Sequence, residues 1–319
     1  MRALTLAFLP FLFACSQETP RQDVLRIGLI GKSQSNPVFQ AAHAGARAAA
    51  KELGPRYGKT IEIDWRTPPL EDAQKQAEAL STLARSGVPA IALACSDANA
   101  LTKAIDDAIQ LGALVMTFDS DAAQSRRLTC YGTDDLECGR RVMAELAQAM
   151  GEKGTVAILA GNQTAPNLQV RVRGVREELA RHPGMRLLDD GIFYHEETPE
   201  LAAQRVQSAQ STHPEIQGWA MVGGWALFTK NALPWPPGQV QVVAVDALPA
   251  QLHYLESGHV AVLLAQDCHG WGRKSVEVLL ARLLAGQTPP PRIVDPLTRV
   301  TRANAAEWAG RWREWLGGG

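Results

Sequence analysis

The sequence predicts an α/β protein of two lobes, each built on a parallel β-sheet flanked by helices. Its 319 residues correspond to about two domains at roughly 150 residues per domain. Hydrophobic residues make up 46% of the chain, which is enough for a buried core in each lobe. Short β-rich runs alternate with helical patterns along nearly the whole chain, and this alternation is typical of βαβ units.

Ten runs rich in β-branched and apolar residues predict strands. In the first half they cover residues 24–30, 60–65, 89–94, 113–118 and 127–131. In the second half they cover residues 156–160, 187–193, 219–222, 240–245 and 260–265. Five strands in each half predict two similar lobes.

Two helix starts are marked by capping residues directly after predicted strands. Asn36 supplies an N-cap, Pro37 takes the first helical position, and residues 38–53 continue as an Ala-rich helix. Asp134 and Glu137 have the spacing of a capping box. Because both caps follow strands, we expect them at the carboxyl edge of a parallel sheet, where open α/β sheets bind ligands.

The charge balance argues against several classes of function. Thirty-two Lys and Arg residues against thirty-three Asp and Glu residues give a formal charge of −1, without long runs of either sign. No surface for nucleic acid is therefore indicated. No apolar stretch reaches the roughly 18–20 residues of a membrane span. We expect a soluble body with no nucleic-acid partner.

The N-terminus has the pattern of an exported protein. One arginine precedes about twelve mostly apolar residues, the length of a signal-peptide hydrophobic region, so residues 1–14 are predicted to be removed. The segment from Leu12 to Ser16 resembles a bacterial lipobox, in which Cys15 is lipidated. Residues 15–23 would then tether the body to a membrane in the periplasm or cell envelope, with the lipid as the only membrane contact. A plain secretory signal is the alternative.

Four further cysteines give no indication of a metal site. Cys95, Cys130, Cys138 and Cys268 form no CxxC pair and no Cys/His spacing typical of zinc. An exported protein can form disulfides, and Cys130 with Cys138 would close a short loop. Buried free thiols are the alternative.

Recognisable catalytic motifs are missing from the sequence. Gly31-Lys32-Ser33 follows a strand, but Arg26 stands where a phosphate-binding loop needs its first glycine. There is no GxGxxG after the first strand, no GxSxG and no HExxH. We expect a non-enzyme without a cofactor; an enzyme with an unrecognised site is the alternative. No helix-turn-helix precedes the first strand, which disfavours a repressor.

Characteristic segments follow one another in a fixed order over about residues 24–300. Those of the first half are Arg26-Ile-Gly-Leu-Ile, Ser35-Asn-Pro-Val-Phe, Gly45-Ala, Ala90-Ile-Ala-Leu, Asp97-Ala-Asn-Ala-Leu and Val115-Met-Thr-Phe-Asp. Those that follow are Tyr131-Gly-Thr-Asp-Asp, Asn167 with Arg171-Val-Arg-Gly, Gly223-Gly-Trp-Ala-Leu-Phe, Val243-Ala-Val-Asp-Ala-Leu-Pro and Ala265-Gln ahead of Gly270-Trp-Gly. In this order the segments resemble ribose-type periplasmic sugar-binding proteins.

The resemblance implies the fold called periplasmic-binding-protein-like I. Its two Rossmann-like lobes are joined by a three-segment hinge, which we expect near Gly132, Gln266 and Asp295. The implied lobes are residues 24–132 plus 267–293 at the N-terminal side and residues 133–266 plus 294–319 at the C-terminal side.

Eight side chains are candidates for ligand binding: Asn36, Phe39, Asp119, Arg171, Trp225, Asp246, Gln266 and Trp271. The family pattern gives Asn36 an amide role, Phe39 an aromatic face, Asp119 and Asp246 carboxylates that accept from hydroxyls, and Arg171 a guanidinium. A sugar has hydroxyls around its rim and apolar faces, so these residue types suit it independently of the resemblance.

Each role has a structural alternative. Asp119 and Asp246 could cap helices, Arg171 could lie exposed on a helix, and Phe39 could belong to the core. Two departures change the pocket without naming its ligand: Ser120 replaces an arginine of ribose binders, and Gly223-Gly224-Trp225 replaces their Asn-Asp pair. Trp308, Trp312 and Trp315 have a helical spacing typical of a docking face.

These observations predict an extracytoplasmic solute-binding protein of an ABC importer. We expect it to be a monomer, to bind a monosaccharide or similar polyol by hinge closure, and to present the closed form to a membrane permease. A ligand-sensing module for a chemoreceptor or sensor kinase is the alternative.

Overall fold

The computed structural model describes residues 23–317. The predicted signal segment and Cys15 lie outside the described residues. The elements up to residue 149 are β1 (Val24–Ile30), α1 (Pro37–Arg56), β2 (Thr60–Trp65), α2 (Ala73–Arg85), β3 (Ala90–Leu93), α3 (Ala98–Gln110), β4 (Leu114–Phe118), β5 (Cys130–Gly132) and α4 (Asp135–Ala149).

The remaining elements repeat the same alternation. They are β6 (Gly154–Gly161), α5 (Pro166–Leu179), β7 (Met185–Tyr194), α6 (Pro199–Thr212), β8 (Gly218–Met221), a 3-10 helix (Trp225–Phe228), β9 (Gln241–Val245), α7 (Pro249–Ser257), β10 (Val262–Ala265), α8 (Cys268–Ala285), β11 (Arg292–Val294), β12 (Thr298–Val300) and α9 (Ala305–Gly317).

The strands form two six-stranded sheets with matching topology. One sheet has the order β11-β5-β4-β3-β1-β2 and the other β12-β10-β9-β8-β6-β7. All pairs are parallel except β10 with β12. The predicted fold class, two parallel α/β lobes flanked by helices, is therefore confirmed. In each sheet the order reverses beside the first strand, and such a switch point is where α/β sheets bind ligands.

All ten predicted strands occur, and their differences from the prediction lie at the ends. The strand expected from residue 127 begins only at Cys130, although Leu128 and Thr129 already form backbone hydrogen bonds with Val115 and Thr117. Strands β11 and β12 were not predicted. Each has three residues, too few for an alternating pattern to register.

Three chain segments connect the sheets where β5, β10 and β11 end. The backbone N–H of Asp295 donates to the carbonyl of Gly132 at 2.9 Å. The N–H of Asp267 donates to the Asp295 carboxylate at 3.1 Å. The three segments are thus bonded to one another, as expected for a hinge of short parallel connections. Strand β11 reaches Val294, one residue past the lobe boundary predicted from the sequence.

Two helix pairs are in backbone contact through glycines. A Cβ atom added at Gly272 of α8 would lie 1.7 Å from the carbonyl oxygen of Ala42 in α1, and one added at Gly45 would lie 1.8 Å from that of His269. In the other lobe, a Cβ atom at Gly139 of α4 would lie 1.9 Å from the carbonyl oxygen of Arg171 in α5. Only glycine permits these approaches.

Helix α9 contacts both lobes. The indole N–H groups of Trp308 and Trp312 both donate to the carbonyl of Ala247, each at 2.7 Å. The ring of Trp315 stacks on His269 with 5.3 Å between centroids. The three tryptophans therefore pack inward against the fold.

The four cysteines within the described residues are free and buried. The disulfide between Cys130 and Cys138 that the sequence allowed is not formed. Burial raises the pKa of Cys130 to about 11 and that of Cys138 to about 12, so both thiols are protonated at neutral pH.

Substituting Gly272→Ala should destabilise the protein by about 1–3 kcal/mol, because α8 must move away from α1. The matched control is Gly310→Ala in α9, where the nearest atom to an added Cβ is 3.8 Å away. This control should be neutral or stabilising by up to about 1 kcal/mol. Urea unfolding measures both, and equal stabilities for the two variants would contradict the packing described.

Candidate ligand-binding site between the lobes

The structure brings all eight candidate side chains into the lining of one cavity between the two sheets. This space, the inner chamber, has a volume of about 30 Å³. The first lobe supplies Asn36, Phe39, Asp119 and Trp271, and the second supplies Arg171, Trp225, Asp246 and Gln266. Their roles toward a ligand stay predictions, but their convergence is a property of the fold.

The N-terminus of α1 places Asn36 and Phe39. The Asn36 side chain accepts from the N–H of Val38 at 3.2 Å and caps the helix, as expected. Phe39 is 3% exposed and packs between Phe118 and Trp271, with centroids 6.4 and 6.2 Å away. It is therefore both a core residue and part of the cavity wall.

Asp119 and Asp246 occupy corresponding positions, one residue after β4 and one residue after β9. Both have left-handed backbone conformations, with φ of 57° and 69°. Aspartate is among the few residues other than glycine that adopt this region. Neither residue caps a helix, since α7 begins after Leu248, and backbone strain of this kind concentrates at functional sites.

Arg171 is buried, not exposed. Its Nε donates to the Asp135 carboxylate at 2.9 Å, its Nη1 to the carbonyl of Val222 at 3.0 Å and its Nη2 to Gln266 Oε1 at 2.8 Å. Only 3% of the residue is exposed. A guanidinium so deeply buried requires such partners.

Gln266 extends this network across the hinge. Its Oε1 also accepts from the Thr133 hydroxyl at 3.0 Å, and its Nε2 donates to Asp246 Oδ1 at 2.8 Å. The second oxygen of Asp246 accepts from the N–H of Gly224 at 3.3 Å. Burial raises the pKa of Asp246, while the hydrogen bond from Gln266 and the charge of Arg171 oppose this rise.

Trp225 lines the inner chamber from the second lobe. Its ring lies against Gly223, where an added Cβ would come within 2.2 Å of the indole. The indole also meets the His195 ring edge to face, with centroids 5.1 Å apart. The Gly223-Gly224-Trp225 segment therefore places an aromatic ring in the cavity wall.

Lys32, from the segment that fails as a phosphate-binding loop, lines the same cavity. It is 3% exposed, and its Nζ lies 3.7 Å from Asp119 Oδ2. Burial alone would lower the Lys32 pKa, but the carboxylates of Glu197, Asp119 and Glu71 raise it above its ordinary value. Its position two residues after the first strand, at the carboxyl edge of the sheet, was the signal that could have identified it.

Two polar atoms at the cavity lack a hydrogen-bond partner within the described part of the chain. They are Asn167 Oδ1 and Trp271 Nε1, on residues that are 6% and 1% exposed. Buried polar groups are nearly always satisfied, so these two atoms point to a ligand or water. Asn167 precedes Arg171 by four residues on α5, a spacing that puts both on one helix face.

A larger space, the outer chamber, adjoins the inner one. Its volume is about 470 Å³, and it shares Lys32, Asn36 and Glu197 with the inner chamber. Burial raises the pKa of Glu197 to about 7, with contributions from Glu71 and Asp119 that Lys32 opposes. Its other lining residues are Ser33, Ser35, Leu70, Glu71, Asn162, Gln163, Tyr194, His195, Glu196 and Thr198.

Within residues 23–317, no group of three or more His, Cys, Asp or Glu side chains is arranged to hold a metal ion. None of the helices described is long and apolar enough to cross a bilayer.

Two α/β lobes joined by three segments, with one polar and aromatic cavity between them, define the class of two-lobed solute-binding proteins. The chain belongs to the periplasmic binding protein domain family, whose sequence model matches residues 27–288. Membership confirms the predicted family and the expectation of a binding protein rather than an enzyme, and it implies an extracytoplasmic location.

Relatives of known name align along most of their length. The D-ribose/D-allose-binding protein of Pseudomonas aeruginosa is 29% identical over 89% of this chain and 88% of its own. The ribose import binding protein of Bacillus subtilis is also 29% identical, over 94% of this chain and 97% of its own.

Solved structures share the fold. An ABC transporter solute-binding protein of Burkholderia graminis, in complex with D-arabinose, has a TM-score of 0.81 at 24% identity and covers 88% of this chain and 96% of its own. One of Agrobacterium vitis, bound to α-D-tagatopyranose, has a TM-score of 0.81 at 24% identity over 90% and 98% of the two chains.

Replacing Arg171→Met should destabilise the protein by about 3–5 kcal/mol, because the buried carboxylate of Asp135 would lose its ion-pair partner. Arg173→Met on the same helix is the control, since the Arg173 side chain is 60% exposed and its surface ion pair contributes less than about 1 kcal/mol. Chemical unfolding distinguishes the two, and a loss below about 1 kcal/mol for Arg171→Met would contradict the network.

Glu197 should make stability depend on pH. Its pKa in the folded protein, about 7, lies above the ordinary value of 4.5. The folded state therefore holds an extra proton between these values, and stability should fall as pH rises through this window and level off above it. Lys32, Glu71 and Asp119 face this carboxylate.

Thermal unfolding from pH 5 to 8 tests this expectation. The melting temperature of Glu197→Gln should decline less steeply with pH than that of the wild type. The control is Glu200→Gln, at an exposed position of α6, whose melting temperature should follow that of the wild type. An unchanged profile in Glu197→Gln would contradict the assignment.

Proposed function

We propose that this protein binds a sugar in the inner chamber and delivers it to an ABC importer. The observation that carries the proposal is the convergence of carboxylate, amide, guanidinium and indole groups from both lobes on one cavity. Two of these groups, Asn167 Oδ1 and Trp271 Nε1, are buried without a partner within the described residues. A ring of hydroxyls would supply the missing donors and acceptors.

The proposed binding mode follows from the chemistry of the walls. Asp119 and Asp246 accept from sugar hydroxyls, Lys32 and Trp271 donate to sugar oxygens, and the ring faces of Phe39 and Trp225 cover apolar C–H surfaces. Charge-assisted bonds in a site shielded from water penalise a missing hydroxyl, because a buried group is then left unpaired. Specificity arises in this way.

Hinge closure is the proposed conformational step. The inner chamber of about 30 Å³ admits two or three waters at roughly 10–15 Å³ each, so a sugar enters only when the lobes separate. Contacts with both lobes then favour the closed state by their differential free energy. The proposed lobes are residues 24–132 plus 267–293 and residues 133–266 plus 294–319.

The named relatives support a sugar ligand without identifying it. The relatives are named for ribose and allose, and another, from Actinobacillus succinogenes, for D-apiose. At 26–29% identity, such names indicate a ligand class. Ser120 and Trp225 stand where the pattern of ribose binders differs, so ribose is one candidate among several.

The remaining parts of the proposal concern partners and location. We infer that the closed protein, as a monomer, meets a membrane permease. Lipidation of Cys15 would hold it at the membrane surface by an acyl anchor and the short polar tether. The absence of lipid-dependent mass on Cys15 in protein purified from bacterial membranes would refute the anchor and leave the sugar site unaffected.

Calorimetric titration of the mature protein with ribose, allose, arabinose, apiose, tagatose, galactose and glucose tests the ligand class. At least one sugar is expected to bind with a Kd in the micromolar range or below. Silence across the sugars together with binding of an amino acid or another small metabolite would overturn the proposal.

Trp271→Phe tests the site itself, because it removes the unpartnered N–H and keeps an aromatic ring. Loss of one hydrogen bond to ligand, about 1–1.5 kcal/mol, corresponds to roughly tenfold weaker binding. Trp65→Phe is the matched control, since Trp65 Nε1 is also buried and unpartnered in the described structure but lies outside the cavity. Equal affinities for the two variants would place the ligand elsewhere.

A further inference from the structure

The outer chamber is much larger than the inner one and adjoins it. The volumes are about 470 and 30 Å³, and Lys32, Asn36 and Glu197 line both spaces. A ligand seated on the inner walls can therefore extend outward without leaving the cleft. The hydrogen-bonding groups of the outer chamber determine which kind of extension the ligand can carry.

Two buried acceptor atoms of the outer chamber have no partner in the described structure. They are Glu71 Oε1 and His195 Nε2. The Nδ1 atom of His195 lies 2.6 Å from the carbonyl oxygen of Glu196, and because a carbonyl only accepts, Nδ1 carries the proton. Burial lowers the His195 pKa and favours the neutral ring, so Nε2 presents a lone pair.

The Glu197 carboxylate adds further acceptor capacity. Its hydrogen bond comes from the backbone N–H of Asn162 at 3.4 Å, which is long for such a bond. Among the described residues that line the outer chamber, Lys32 is the one cation, and its Nζ lies closest to Asp119, a residue of the inner chamber. The outer chamber therefore holds two acceptor atoms without a partner in the described structure and a carboxylate with one long hydrogen bond.

The two chambers are also joined by ring contacts. His195, in the wall of the outer chamber, meets Trp225, in the wall of the inner one, edge to face at 5.1 Å. Tyr194 and Leu70 add apolar surface beside these acceptors, and Leu70 is 64% exposed. Apolar surface next to buried acceptors is the combination that suits a second hydroxylated unit.

We propose that the outer chamber is a second subsite, which binds a hydrogen-bond-donating extension of the sugar held in the inner chamber. The extension is a hydroxylated second ring or an ammonium-bearing substituent, since both present donors to Glu71, Glu197 and His195. The preferred ligand is then larger than one monosaccharide. This inference rests on the proposed sugar-binding function.

Calorimetry with three matched series tests the subsite, built on D-ribose, D-allose and D-arabinose. Each series contains the free sugar, its methyl glycoside, its disaccharide with glucose and its 2-aminoethyl glycoside. In at least one series, the disaccharide or the aminoethyl glycoside should bind about tenfold more tightly than both the free sugar and the methyl glycoside. The disaccharide identifies a hydroxylated extension, and the aminoethyl glycoside a cationic one.

Variants then locate the extension. Glu71→Gln and His195→Phe should each reduce the tenfold preference for the extended ligand to about twofold while leaving free-sugar affinity within about twofold of the wild type. Glu71→Gln removes the charge of one acceptor and His195→Phe removes a neutral acceptor, and a weakened or lost hydrogen bond to the ligand accounts for a change of this size. Glu200→Gln, exposed outside the chamber, is the control and should keep the full preference.

Each other result overturns the inference in a distinguishable way. If the free sugars bind as tightly as every extended compound, the outer chamber is not a subsite, and the proposed sugar-binding function stands. If the methyl glycoside gains as much affinity over the free sugar as the disaccharide does, the outer chamber contributes by apolar contact alone, and the proposed hydrogen bonds are not formed. Silence across all three series and across the seven free sugars named above, in a protein that unfolds cooperatively, would remove both the subsite and the sugar-binding function.

Discussion

The guanidinium of Arg171 is the buried charge around which the second lobe and the hinge are arranged. A cation only 3% exposed is stable in this position because Asp135, Val222 and Gln266 surround it with acceptors. Asp135 begins the helix that follows the first hinge segment, and Gln266 follows β10 at the second. The same contacts that satisfy the charge therefore hold the hinge and the site carboxylate Asp246 in a fixed relation.

Glycine contacts determine how closely the helices of the site pack against each other. Gly45 and Gly272 bring α1 and α8 into backbone contact, and these two helices carry Phe39 and Trp271. Gly139 performs the same function between α4 and α5, which carries Arg171. Each lobe thus uses one close helix pair to position its contribution to the cavity, and this repetition matches the shared strand order of the two sheets.

Much of this arrangement can be read from the sequence because parallel strands deliver their following residues to one edge. Asp119 and Asp246 come directly after predicted strands, and the structure places both at the cavity. Lys32 obeys the same rule two residues after β1, but only the folded structure shows the carboxylates that surround it. Glu197 could not be predicted, since it lies in an irregular segment between β7 and α6 whose path has no periodic pattern.

Trp308 and Trp312 of α9 fix the backbone beside a carboxylate of the cavity in the second lobe. Both indole N–H groups donate to the carbonyl of Ala247, which is the residue after Asp246. These two hydrogen bonds restrain the left-handed backbone of Asp246. Because this turn is already restrained, the Asp246 carboxylate loses little conformational entropy when a ligand binds. Less of the binding free energy is therefore offset by ordering of the protein. During the proposed hinge closure the second lobe can then move as a rigid body, with its cavity-lining residues already in their binding conformation.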